Sequence, residues 1–304
     1  ILISEVLGVN AAPLLMAEAL LSDTGGVATL VGDPPNVLIA SAANFSFVDF
    51  LTHSLPVAAV AWLVTLVLLM RLFRKELSQT PSNAEAMAKL DPRQALNDPK
   101  TARRVLMVLG GALVFFFLED ALGITPAYIA LSAAAAALAW VRPAVNDVLR
   151  RVEWGVLIFF VGLFVMVGGL EAAGVLGSLA HLLENLSNLP PVAVGVALIW
   201  VTALLSAVVD NVPITIAMIP VNQGLRASGM NIQPLRWALV FAAGLGGNGT
   251  IIGSTANIVV ASLSEKTRTP ITSALWNKRG LPVMLATCVV ASILYAALFG
   301  WMSY

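Results

Sequence analysis

From Trp237 to Ser264 the chain runs for 28 residues without one Asp, Glu, Lys or Arg. As a continuous helix this run would measure about 42 Å, against a bilayer hydrocarbon core of about 30 Å. Length alone requires it to tilt strongly or to break. Gly246, Gly247, Gly249 and Gly253 lie inside it and place the break.

Further uncharged runs cover 50–70, 121–141, 185–209 and 281–304, with shorter ones at 105–118 and 154–170. Only 11% of the 304 residues are charged and 59% are hydrophobic, where a soluble domain carries about 25% charged residues. The runs lack the alternation of barrel strands. Helices therefore satisfy the backbone inside lipid, and the sequence predicts an all-α integral membrane protein, a polytopic helix bundle with inverted repeats, re-entrant hairpins and broken helices.

Net charge is zero, but its distribution is uneven. Arg71 to Arg104 holds eight of the 17 Lys and Arg residues and is interrupted by Pro81, Pro92 and Pro99. The positive-inside rule makes this loop cytoplasmic, and Arg142, Arg150 and Arg151, two spans later, fall on the same side. These are solvated loop charges rather than a nucleic-acid site. The lipid bilayer of the cell (plasma or inner) membrane is the expected surrounding.

The glycine-rich break is written twice. "GGVATLVGDPPNVLIAS" starts at Gly25 and "GGNGTIIGSTANIVVAS" at Gly246, 221 positions later, with seven of 17 residues identical in a G-G-x-x-T-x-x-G-x-x-x-N frame. Packing alone would repeat small residues, but not Thr29 with Thr250 and Asn36 with Asn257. In the first copy Pro34 and Pro35 remove two backbone donors and end any continuous helix. Broken helices at membrane depth survive where protein buries them or where they line a watery cavity. There Thr29, Gly32, Asp33 and Asn36, with Thr250, Gly253, Ser254 and Asn257, are candidate substrate or ion ligands. The half-helices starting after Gly32 and Gly253 would add positive dipole ends. The repeat divides the chain into 1–74, the later part of a first repeat; 75–104, the loop; and 105–304, a second repeat. It also predicts further spans and another polar interruption ahead of Ile1.

A third interruption is "SAVVDNVPITIAMIPV", Ser206 to Val221. An acid at such depth costs at least ~2.5 kcal/mol, and intramembrane acids mark ion pathways by default. Asp210 and Asn211 therefore become binding candidates. Asp210, with Asp23, is a candidate for proton coupling, unless it only caps a half-helix or pairs with a distant arginine. For Asp33 the sequence D-P-P-N is also ordinary turn chemistry.

Other chemistries find little footing. Cys288 is the single cysteine, which excludes an internal disulfide and a thiolate metal cluster. His53 and His181 stand far apart near helix ends, where interfacial packing accounts for them. "GLGGNG" formally matches a dinucleotide fingerprint, but it lies inside a membrane-length apolar run without the required strand. No Walker lysine follows either glycine motif. An enzyme, a metal site, an organic cofactor and a nucleic-acid partner are not expected.

"SDTGGVATLVGDPPNVLIASAANFSFVDFL" at 22–51, "EWGVLIFFVGLFVMVGGL" at 153–170 and "SAVVDNVPITIAMIPV" at 206–221 resemble the ArsB/NhaD and P-protein branch of the ion transporter superfamily, relatives of the citrate carriers. The resemblance implies a secondary transporter with two inverted repeats, usually a homodimer. Asp210, Asn211, Pro213 and the two glycine frames would surround the substrate and a coupling ion, H+ or Na+. Many P-protein-like sequences carry Asn where this chain has Asp23, and the acid is closer to arsenite permeases. The resemblance thus implies proton-coupled efflux of arsenite or a similar small oxyacid, with Na+/H+ antiport or a citrate/dicarboxylate-type anion carrier as alternatives.

Overall fold

The computed structural model describes residues 4, 7–79, 98–152, 154–174, 189–227, 229–267 and 269–303. His181 and the centre of the basic loop lie outside the described residues. Twelve helices carry the argument: α1 Ala12–Gly26, α2 Pro34–Ala43, α3 Phe47–Leu72, α4 Pro99–Phe117, α5 Pro126–Val141, α6 Val145–Arg151, α7 Trp154–Ala172, α8 Pro191–Val208, α9 Asn211–Ala227, α10 Gln233–Gly247, α11 Thr255–Ser264 and α12 Ser273–Ala297. An all-helical bundle is what the uncharged runs required.

Proline sets many of the starts. Helices α1, α2, α4, α5, α8 and α10 all carry Pro in their first turn, where its missing N–H costs nothing. Helix α3 begins with a capping box in which Ser46 Oγ accepts from Asp49 N (3.1 Å) and Ser46 N donates to Asp49 Oδ2 (2.8 Å). A π-helical turn follows at Phe50–Ser54.

The 28-residue run is broken where its glycines lie, into α10 and α11, as the first copy is into α1 and α2. The two broken helices run antiparallel. Thr269, just past α11, bonds Asn10, just before α1, while Arg236 in the first turn of α10 donates to the carbonyls of Ala42 and Ala43 at the end of α2 (3.4 and 3.3 Å). Helix α10 is buried along nearly its whole length, which explains why it is apolar on every face beyond Arg236. Trp237 anchors it, stacked on Phe45 (centroids 4.1 Å apart) and edge-on to Phe50.

The 185–209 run, long and apolar enough by itself to cross a membrane, forms one arm of a hairpin. Its helix α8 starts beside the far end of α12, where Gly195 abuts Tyr295, and runs alongside α10, where Ala203 and Ser206 press on Gly246. The chain then turns at Val209–Asp210, and α9 returns until Asn222 and Gln223 share a cleft with Ala42 and Arg236. Both arms therefore enter from one side, and 191–227 is a re-entrant hairpin. The turn falls at Asp210-Asn211, the interruption that the sequence marks in an otherwise apolar stretch. The last helix extends ahead of its uncharged run: α12 starts at Ser273 and carries Arg279 to Glu76, 3.4 Å away on the loop side. His53 packs as expected, stacked on Trp237 at 5.0 Å.

Candidate functional site

Three chain interruptions meet near the centre of the bundle: the break between α1 and α2, the break between α10 and α11, and the tip of the α8–α9 hairpin. The two breaks have nearly the same internal wiring. Asn36 Nδ2 donates to the carbonyls of Gly26 (2.9 Å) and Thr29 (2.8 Å), and Asn257 Nδ2 donates to those of Gly247 (2.9 Å) and Thr250 (3.0 Å). Each asparagine so satisfies two carbonyls that the break frees. Glycine is required where the strands of each break touch. A Cβ on Gly253 would stand 2.5 Å from the Gly247 carbonyl oxygen, and one on Gly32 would strike that of Gly26.

The half-helices that follow start from matched residues, Asp33 (φ −149°, ψ 143°) and Ser254 (φ −153°, ψ 145°). These two caps differ in chemistry and reach into different neighbours. Ser254 Oγ donates to Asp23 Oδ1 (2.9 Å), joining the second break to α1. Asp33 Oδ2 accepts from Asn211 Nδ2 (3.0 Å), joining the first break to the hairpin tip. At that tip Asp210 Oδ1 accepts from Val212 N (3.0 Å) and its Oδ2 from Thr255 Oγ1 (3.4 Å). Thr250 Oγ1 bonds the Ala207 carbonyl, pinning the hairpin to the second break.

The structure thus brings together Asp23, Asp33, Asp210, Asn211 and Ser254. The contacts Asp33–Asn211, Asp210–Thr255 and Ser254–Asp23 set the three carboxylates at one junction. Among the described residues, no Lys, Arg or His hydrogen-bonds to any of them. No group of three His, Cys, Asp or Glu among the described residues is arranged to hold a metal ion. Asp23 Oδ2, Asn36 Oδ1, Asn257 Oδ1 and Asn248 Oδ1 are buried without a hydrogen-bond partner. They are acceptors only: a hard cation satisfies any of the four, and a proton only the Asp23 carboxylate. A cavity of about 370 Å³ lies against Gly32, Asp33 and Pro34.

Asn36 and Asn257 are shown in a structural post, with their amide hydrogens spent on backbone and only Oδ1 left for a ligand. Thr29 and Thr250 contribute carbonyls to those same asparagines. Sequence reasoning passed over Thr24, Thr65, Asn248, Ser54 and Trp276. Asn248 Nδ2 donates to Thr24 Oγ1 (3.0 Å), and Thr24 in turn meets Thr65 (3.4 Å). Ser54 Oγ bonds the Val27 carbonyl (2.6 Å) and Trp276 Nε1 that of Asn248 (3.2 Å). Val27 and Asn248 are related by the 221-residue offset, but Ser54 and Trp276 are not alike. A repeat search keyed to identity therefore misses them.

Comparison with known proteins agrees with this architecture. The family model described as CitMHS, citrate transporter, matches residues 1–242. A 46 kDa membrane protein of Mycobacterium leprae is 35% identical over all of this chain and 70% of its own length. An uncharacterised transporter of Synechocystis is 33% identical over 97% of the chain and 70% of its own length. The human P protein is 27% identical over 94% of the chain and 44% of its own length. These matches carry the citrate-carrier and P-protein side of the resemblance, and the family model and the Synechocystis relative name a transporter rather than an enzyme. With two antiparallel broken helices, a re-entrant hairpin and a family match over most of its length, this chain belongs to the citrate transporter family of integral membrane proteins.

Proposed function

We propose that the chain is the core of a secondary active carrier that moves a small carboxylate or oxyacid together with, or against, H+ or Na+. The observation that carries this reading is the set Asp23, Asp33 and Asp210 at the junction of the breaks, with no basic side chain among the described residues bonded to them. Three carboxylates in a low-dielectric site repel a bare polyanion. An anionic substrate therefore enters with its charge compensated by protons or cations, and the acids are where those bind. The half-helices beginning at Pro34 and Thr255 aim their N-terminal dipoles into the same region, which suits a carboxylate oxygen.

The family match favours a citrate-type substrate. Arsenite efflux is a second reading, supported by Asp23 and by the hydroxyl-only chemistry of As(OH)3, which oxygen and amide groups bind without thiols. Na+/H+ exchange would use the same ligands. All three are separated by one experiment: flux of citrate, arsenite and Na+ in the same proteoliposomes of the full-length protein, under an imposed pH or Na+ gradient. Gradient-driven citrate accumulation is the expected result. Flux of arsenite or Na+ alone would transfer the assignment to that substrate, and downhill movement that no gradient can drive uphill would make the protein a channel. The homodimer and the cytoplasmic placement of 75–104 belong to the same proposal.

A further inference from the structure

Outside the junction of the breaks, a groove of about 500 Å³ lies between α4 and α5. One wall is Val108, Gly111 and Phe115, spaced as one face of α4; the other runs along α5 from Tyr128 through Ser132 and Ala136 to Trp140. Two packed helices ordinarily close such a seam with interdigitated side chains. Here small residues hold it open, and a Cβ built on Gly111 meets nothing within 4 Å.

The groove has a direction. Tyr128 to Trp140 spans about 18 Å of helix, close to the ~15 Å that one leaflet contributes to a ~30 Å hydrocarbon core. At the Trp140 end, which faces the basic loop, Arg104 Nη1 donates to the Trp140 carbonyl (3.4 Å) and so stands at the mouth. Arg142 follows two residues later in the left-handed conformation that ends α5 (φ 54°), and Lys100 and Arg103 occupy the adjoining first turns of α4. The nearby carboxylate of Asp98 is occupied by the amides of Lys100 and Thr101 and by the Thr101 hydroxyl. Ile124, Tyr128 and Phe115 line the opposite end. An apolar slot one leaflet long with a basic mouth at the loop-side interface matches a single amphiphile with a negative head.

We propose that this groove binds an anionic phospholipid of the surrounding bilayer, one acyl chain lying between α4 and α5 and the phosphate held by Arg104 and Arg142. The lipid would complete the packing of a helix pair that joins the bundle at Phe47, whose amide is bonded to Glu119 and whose ring meets Phe116 and Phe117 at 5.6 and 5.2 Å, and through buried Ala112 and Ile129.

The test is lipid retention by the full-length protein in detergent, read by native mass spectrometry, with phosphatidylglycerol and phosphatidylcholine of identical acyl chains. The expected result is one phosphatidylglycerol per chain, retained at least tenfold better than phosphatidylcholine, since each juxtamembrane basic residue favours an anionic partner about fivefold. Arg104→Gln with Arg142→Gln should reduce retention to the phosphatidylcholine level without altering the chain's monodispersity. Gly111→Leu with Ala136→Leu should displace both lipids by filling the slot. Equal retention of the two lipids, or a preference that survives the double arginine variant, would overturn the proposal. Loss of the oligomer on filling the slot, with lipid retained, would instead make this face a contact between copies.

Discussion

Ser254 and Asp23, 231 positions apart, share a buried hydrogen bond of 2.9 Å, and the serine hydroxyl also accepts from the Ala256 amide at 3.2 Å. One side chain therefore caps α11 and holds an acid of α1. Ser254→Ala removes the partner of Asp23 Oδ1 and leaves both carboxylate oxygens unpaired, because Oδ2 already has none. An unsatisfied buried group costs about 1–3 kcal/mol. The variant is expected to fold but to lower gradient-driven flux about tenfold, with Ser254→Thr restoring most of it. Proteoliposome flux with both variants checks this, and equal rates for wild type and Ser254→Ala would remove Asp23 from the transport cycle.

The paired asparagines give a test of structure against ligand binding. If Asn36 and Asn257 served mainly as ligands through Oδ1, aspartate would substitute well, since it keeps the oxygen. Their amides instead hold two carbonyls each. Asn36→Asp and Asn257→Asp should therefore each destabilise by about 2–4 kcal/mol, the loss of two donors to groups that are otherwise unsatisfied. The two variants should behave alike, reflecting the matched breaks. Thermal unfolding of the full-length protein in detergent measures this; a fully stable aspartate variant would show that the carbonyls find other donors.

How much of this was legible follows from what each signal is made of. The two breaks could be read because backbone conformation demanded Gly, Pro and Asn at fixed spacing, and those residue types are visible in sequence. Asp33, with D-P-P-N turn chemistry to explain it, was the weakest candidate, and its bond to Asn211 depends on a contact across 178 residues that no local pattern encodes. Re-entrant hairpins were expected, but their place could not be read from length and composition, because an apolar helix of 18 residues such as Pro191–Val208 is also long enough to cross a membrane. The support of Val27 and Asn248 by Ser54 and Trp276 was invisible for another reason. Any donor at the right place serves, so residue identity is free to drift.

Outside the bilayer, Asp98 supplies a pH dependence. Its carboxylate caps α4 by accepting from the Thr101 hydroxyl (2.6 Å) and from the amides of Thr101 and Lys100. The Thr101 hydroxyl bond first, and then the amides, hold the carboxyl below its ordinary value of 3.8. A depressed folded-state pKa contributes stability that is full above the unfolded value and is lost as pH falls through the folded one. The amides of Lys100 and Thr101 should therefore keep their hydrogen-exchange protection at neutral pH and lose it only below about pH 4. Asp98→Ala should abolish the pH dependence and leave the rest of α4 protected, because burial and membrane insertion rather than the cap hold its later turns. Protection that is flat with pH in the wild type would show that the cap bonds are not formed in solution.

Coupling is the sharpest use of the site geometry. Asp210 ends one arm of the hairpin, accepts from Val212 N through one oxygen and touches Thr255 of the second break through the other. A carrier needs a ligand whose affinity differs between its two access states, because one bound equally well in both shifts nothing. A proton competing with a cation or substrate at Asp210 supplies that difference at the place where the hairpin meets α11. Asp210→Asn keeps an oxygen for Val212 and can be accommodated without refolding the tip. It should leave expression and unfolding temperature close to wild type, abolish flux driven by a pH gradient, and retain exchange of substrate for substrate. Asp210→Ala should be worse, losing the Val212 bond as well. Both are measured in proteoliposomes of the full-length protein. Undiminished pH-driven flux in Asp210→Asn would place the proton elsewhere: first on Asp23, whose unpaired oxygen is already buried, and then on Asp33, which the Asn211 amide holds as an acceptor.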